Sequence, residues 1–245
     1  MAFRDFFKEL PMKKKIVGIL GGMGPEATVD LMQRVLRATP AQDDQDHIHM
    51  LVDNNPQVPS RIRALLEKTG ESPGPCLKNM ARKLEFWGAD FLAMPCNTAH
   101  YYHKEIQSAV SIPVLNILSL SVEESLRRKP HLRRVGLLAA TAVLNLNLYG
   151  QIFSAHGVEA LAPPALIQER IMSTIRTIKT GQYNEEVFTA LREAINSLTE
   201  AGAEIILVAC TELSVVSGRL EASVPILDAA QILAEHIVRE AQQTI

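Results

Sequence analysis

Apolar residues along this chain recur in two registers that alternate from one end to the other. Short unbroken apolar runs, such as Ile16-Val17-Gly18-Ile19-Leu20 and Ile205-Ile206-Leu207-Val208-Ala209, have the length and branching of strands buried on both faces. Between them lie longer stretches with apolar residues three and four positions apart, the mark of amphipathic helices. The pattern predicts strands over 15–20, 47–53, the run leading to 94, 112–116, 134–139, the run leading to 209, and 225–227. It predicts helices over about 25–38, 75–87, 143–155, 165–179, 184–200 and 229–242. Pro25 suits a first helical turn, where a missing N–H costs nothing, and Ser60 can cap a helix carrying Arg61. Strands alternating with helices and lacking hairpin turns predict an α/β fold of parallel sheets flanked by helices.

The pattern also repeats itself. Gly88-Ala89-Asp90 opens the run that ends in Cys96, and Gly202-Ala203-Glu204 opens the run that ends in Cys210, each cysteine eight residues after its glycine. Upstream, 16–20 is echoed by 134–138; downstream, Ile112-Pro113-Val114 is echoed by Val224-Pro225-Ile226. A repeat of roughly 115 residues is domain-sized and too long for a solenoid unit. The expected organisation is an extension over 1–12, an N-terminal α/β domain over 13–118 and a C-terminal α/β domain over 119–227. Residues 228–245 would form a helix crossing back to close the first domain. The two pseudo-symmetric halves would then face a shared cleft. In the extension, Phe3, Phe6, Phe7 and Leu10 fall on one helical face. They form either an arm that packs on the body or a partner subunit, or an upstream start ahead of Met12.

Composition narrows the classes. The 245 residues are 47% hydrophobic and 21% charged, as in ordinary globular proteins, with a formal charge of −2. That charge gives no reason to expect nucleic acid or an anionic membrane as partner. No apolar run approaches the roughly 18–20 residues of a membrane span. Three cysteines, an odd number, point to free thiols in a reducing compartment, hence to a cytoplasmic enzyme.

A lone cysteine is usually a small buried hydrophobe, and Cys76, with no echo in the other half, reads that way. Cys96 and Cys210 differ. Both follow a strand and precede a predicted helix, whose N-terminus lowers a thiol pKa and presents free N–H groups to an anion. Asn97, Thr98, Thr211 and Glu212 supply capping oxygens and hydrogen-bond donors there. Two thiols flanking one cleft could take a proton from one face of a carbon and return another to the opposite face. Three other readings compete. Cys96 and Cys210 could form a disulfide, although neither lies in a Cys-x-x-Cys motif. Cys96, His100 and His103 could ligate zinc. Gly22-x-Gly24-x-x-Ala27 with Asp53 could be a dinucleotide fingerprint, although Pro25 removes a donor from the phosphate loop and Asp53 lies somewhat far along.

Four motifs carry a resemblance. Gly21-Gly22-Met23-Gly24-Pro25, the run from Asn54 through Arg61, Met94-Pro95-Cys96-Asn97-Thr98-Ala99-His100 and Cys210-Thr211-Glu212 occur in this order over nearly the whole chain. Together they resemble the aspartate/glutamate racemase family, most closely its aspartate racemases. The resemblance implies an isomerase that interconverts L- and D-aspartate without pyridoxal phosphate or any other cofactor or metal, and that is commonly a homodimer. It implies Cys96 and Cys210 as the acid/base pair. Asn97, Thr98, Ala99, Thr211 and Glu212, with Met23, would hold the substrate backbone. Arg61 would bind the side-chain carboxylate, and Lys179 would be a second cation. The family usually carries glycine where this chain has Ala209. The rivals are a relative acting on glutamate, a broad range of amino acids, hydantoins or maleate, and a non-catalytic carboxylate-binding protein.

Overall fold

The computed structural model describes residues 14–243, so the extension over 1–12 and the last two residues lie outside the described part. In chain order, the first half holds β1 (Val17–Gly21), α1 (Pro25–Ala38), β2 (Met50–Asn54), α2 (Gly74–Phe86), β3 (Phe91–Ala93), α3 (His103–Gln107) and α4 (Ile117–Arg128). The second holds β4 (Arg134–Ala139), α5 (Thr141–Asn145), α6 (Gly150–Ser154), β5 (Glu159–Leu161), α7 (Ala165–Ile178), α8 (Glu185–Glu200), β6 (Ile205–Ala209), α9 (Thr211–Ser214), β7 (Ile226–Asp228) and α10 (Ala229–Gln242). The strands form two sheets, ordered β2-β1-β3 and β5-β4-β6-β7, and every pairing is parallel.

Parallel sheets need apolar cover on both faces, and the residues supply it. Every residue of β1 and β6 is buried. One apolar core runs from the first sheet (Val17, Ile19, Phe91) through α4 and α10 to the second sheet (Val135, Leu137, Leu207). Separate cores cover the outer faces: Leu77, Met80 and Leu84 of α2 on the first sheet, and Ile171, Leu191 and Ile195 of α7 and α8 on the second. Helix α10 begins where the Asp228 side chain accepts the Ala230 N–H at 2.8 Å, and it packs against both α1 and α4. At its far end the Ala241 carbonyl accepts the Lys15 N–H at 2.9 Å, and Glu240 pairs with the Lys15 ammonium at 2.6 Å.

The repeated Gly-Ala-acid triplet has a mechanical reason. Gly88 and Gly202 end α2 and α8 with φ of +96° and +91°, a conformation that favours glycine. The following alanine N–H reaches back to Leu84 and Leu198, at 3.0 Å in both copies. Each helix is thereby turned into the next strand with the same geometry, which sets both cysteines the same distance along.

Several elements depart from the pattern, among them helix α4, which the predicted helices do not include. The strand predicted over 112–116 shrinks to a single bridge between Leu92 and Val114. Pro113 has no N–H, and the backbone groups of Val114 are taken by the side chains of His103 and Gln107, both at 2.8 Å. The helix predicted over 143–155 is split into α5 and α6 by Asn147, at φ +51°. The three-residue edge strand β5 is too short to show a periodicity.

Candidate active site

Cys96 and Cys210 line one cavity, reached by the chain past the carboxyl ends of β3 and β6. Cys96 follows β3 and Cys210 follows β6, and each is about 95% buried, at 6% and 5% exposure. The cavity is further lined by Met23, Arg61, Asn97, Thr98, Lys179 and Glu212, together with Thr211. Ala99 is the exception among the residues expected there. It is fully buried in the apolar core around Met94 and Tyr102 and does not line the cavity.

The backbone of Cys96 is held by His100. The His100 Nε2 accepts the Ile117 N–H at 3.2 Å, so its Nδ1 carries the proton and donates to the Cys96 carbonyl at 2.8 Å. Burial is the main cause pushing His100 down to about 4, which keeps the ring neutral. His103 donates to the Val114 carbonyl at 2.8 Å. Both ring nitrogens of His100 are thus committed to backbone, which removes it from a zinc trio with Cys96 and His103, and no three His, Cys, Asp or Glu side chains are grouped as metal ligands among the described residues. All three cysteines are free, so no disulfide joins Cys96 to Cys210. The half-buried Cys76 lies apart, with Asn55 Nδ2 at 3.7 Å from its sulfur.

Cys210 departs from expectation. Only a four-residue helix follows it, and its thiol is pushed well above the usual range, not below it. Burial is the largest cause, and the Glu212 carboxylate adds to it through its charge and a hydrogen bond donated by Sγ at 3.1 Å. The helix N–H groups pull the other way and are outweighed. Glu212 also accepts from Lys179 at 3.1 Å. Burial works against the charge of Lys179, but the Glu212 carboxylate outweighs it and holds the ammonium above its ordinary value.

The capping oxygens are likewise used differently. Thr211 Oγ1 does not cap its helix; it donates across to the Pro95 carbonyl at 3.0 Å. Asn97 makes no cap bond either, because its Oδ1 accepts the Tyr149 hydroxyl at 2.6 Å.

Arg61 is held by carbonyls. Its Nη1 donates to Pro59 at 3.0 Å and to Val58 at 3.3 Å, and its Nη2 to Met23 at 3.3 Å. Its buried Nε has no partner among the described residues. A guanidinium braced by neutral oxygens, with a spare buried donor, is prepared for an anion. One wall was not legible as a site. Met172 and Ile175 of α7 face the cavity with Lys179 at its end, three residues at the i, i+3, i+7 spacing of one helical stripe. Met172 and Ile175 read in the sequence as plain core; only Lys179 of the stripe is expected at the site.

Two layered parallel sheets with paired thiols at equivalent strand ends define a two-cysteine α/β scaffold. The Asp/Glu/hydantoin racemase family matches residues 20–237 of the chain. The chain belongs to that family and is a racemase, an isomerase. It is 30% identical over 230 residues to the broad specificity amino-acid racemase RacX of Bacillus subtilis (strain 168), covering 91% of this chain and 96% of the relative. Among solved structures it is similar to the aspartate racemase of Picrophilus torridus, with 31% identity, a TM-score of 0.78, and coverage of 93% and 94% of the two chains. The glutamate racemase isoform RacE1 of Bacillus anthracis shares the fold at a TM-score of 0.64 and 19% identity, over 94% and 82% of the chains.

Proposed function

We propose that the protein racemises aspartate by a two-thiol mechanism. The observation that carries this is the placement of Cys96 and Cys210, from equivalent strand ends, in one cavity that also receives Arg61 with its unpaired Nε. In one direction a Cys96 thiolate takes the α-hydrogen of the substrate. The Cys210 thiol, which burial and Glu212 keep protonated, gives its proton to the opposite face. The products are the other enantiomer, a Cys96 thiol and a Cys210 thiolate; the reverse direction starts from that state. Neither sulfur is a strong base, so the cavity must stabilise the developing carbanion with donors and cations in the near absence of water. Asn97 and Thr98 supply side-chain donors, Thr211, whose hydroxyl proton is spent on Pro95, supplies its backbone N–H, and Lys179 the positive charge. Arg61 receives the side-chain carboxylate, a task its planar fork suits better than an ammonium does.

The resting state is expected to be a homodimer in the cytoplasm, with the two halves dividing near Ser119 and closing over the substrate. A non-catalytic carboxylate binder would need neither thiol. A second reading, broad specificity, draws on the likeness to RacX and on the apolar wall of Met172 and Ile175, which would accept side chains other than a carboxylate. A panel of L-amino acids followed by chiral chromatography separates the two readings.

The mechanism is tested in D₂O. The donor thiol exchanges with solvent while the abstracted hydrogen stays on the other sulfur. Product enantiomer should therefore carry deuterium while recovered substrate stays largely protiated early in the reaction. Equal early labelling of both enantiomers would overturn the two-thiol reading.

A further inference from the structure

We infer that Tyr149 is a positioning residue that orients the Asn97 amide, turning its NH₂ group toward the substrate. Tyr149 stands just before α6, in the second half of the chain, and its side chain is fully buried. Its hydroxyl has two neighbours: Asn97 Oδ1 at 2.6 Å and Ser121 Oγ at 3.4 Å. Ser121 spends its own proton on the Ile117 carbonyl at 2.7 Å. The single phenolic proton therefore goes to the nearer partner, Asn97 Oδ1. Burial keeps the hydroxyl far above its ordinary pKa, so the proton stays in place.

With Oδ1 occupied, the other end of the amide is determined. Asn97 Nδ2 is buried, Asn97 lines the cavity beside Cys96, and Nδ2 has no partner among the described residues. A buried donor left unpaired costs on the order of 1–3 kcal/mol, a cost relieved when a ligand supplies an acceptor. A carboxylate oxygen of a bound amino acid is such an acceptor. The same segment is tied on its other side, where Thr211 Oγ1 donates to the Pro95 carbonyl at 3.0 Å. Cys96 thus lies between two residues, each anchored by a hydroxyl from the second half. Assembly of the second half on the first thereby presets the donor next to the thiol.

This inference takes from the proposed function only that Asn97 meets the substrate. The test combines spectroscopy with a double-mutant cycle. Tyr149→Phe keeps the ring and its stacking on Phe153, with centroids 6.3 Å apart, and removes only the hydroxyl. In ¹H–¹⁵N spectra, the Asn97 NH₂ pair, assigned by its loss in Asn97→Asp, should shift and broaden in Tyr149→Phe as the amide becomes free to rotate. For racemisation, Tyr149→Phe should lower kcat/KM about tenfold in a protein that stays folded, with a melting temperature lower by roughly several degrees. In an Asn97→Ala background the same change should have no further effect. An unmoved Asn97 signal overturns the inference. So does an equal kinetic loss in both backgrounds, which would mean that Tyr149 acts by another route. Absence of racemisation by the unaltered protein would instead sink the proposed function, and the spectra alone would still decide the orientation of Asn97.

Discussion

Cys210 donates its thiol hydrogen bond to Glu212, two residues further along, at 3.1 Å, and the same carboxylate accepts from Lys179 at 3.1 Å. Burial and this acid thus hold the Cys210 thiol protonated, and the same acid keeps Lys179 charged.

Replacing Glu212 with Gln keeps the shape and removes the charge. Burial of Cys210 remains, but the two contributions of Glu212 that raise its pKa are weakened. The pH profile for alkylation of Cys210 by iodoacetamide, followed in a Cys76→Ser, Cys96→Ser background, should move to lower pH. An unmoved profile would mean that burial alone sets the thiol.

Acid stability should depend on His100. Its folded pKa lies at about 4 against an ordinary 6.5, so the neutral ring contributes stability that is complete above pH 6.5 and lost as pH falls toward 4. The full effect is on the order of 3 kcal/mol. In His100→Asn, whose amide can still donate to the Cys96 carbonyl, chemical denaturation should show a shallower loss between pH 6.5 and 4. Parallel curves for both proteins would refute this. Cys210 has the opposite sign. Its raised pKa means that stability falls as pH climbs above about 9, where the unfolded thiol ionises first.

Arg61→Ala should reduce kcat/KM for aspartate by roughly ten- to hundredfold, since a charge-assisted hydrogen bond contributes about 1.5–3 kcal/mol. Discrimination against alanine should relax at the same time. Arg61→Lys should recover only part of the loss, because an ammonium lacks the planar fork. Lys179→Ala should behave like Arg61→Ala but less severely. Unchanged selectivity between aspartate and alanine would show that Arg61 does not read the side chain.

Cys96→Ser and Cys210→Ser should each nearly abolish racemisation, because an alcohol is far less acidic than a thiol and cannot be poised near neutral pH. Cys76→Ser should stay within a few-fold of the unaltered rate. An active Cys210→Ser protein would remove one of the two bases.

Phe86 and Trp87 stand side by side at the end of α2 with 87% and 55% of their surfaces exposed. If a second copy covers them, sedimentation should give twice the 27.0 kDa chain mass. Emission from Trp87, the chain's one tryptophan, should then shift to the red on dilution. A monomer at all concentrations would exclude the homodimer.

Much of this protein was legible along the chain because it depends on neighbours in sequence. The buried runs of β1 and β6, the helical stripes and the left-handed glycines at 88 and 202 follow from local sterics and side-chain periodicity. So does the equal spacing of Cys96 and Cys210. The four motifs together likewise named most of the residues that line the cavity. What the chain did not show is who partners whom across long separations. Burial, reinforced by the Glu212 carboxylate, reversed the thiol shift expected from a helix N-terminus. Thr211 and Asn97, suited to capping, instead joined Pro95 and Tyr149 from opposite halves. Ala99, inside the motif, turned into the core, while Met172 and Ile175 turned toward the site. Hydrogen bonds and burial of this kind are set by packing one half of the chain against the other, and residues 52 or 116 positions apart leave no trace of their contact in a single sequence.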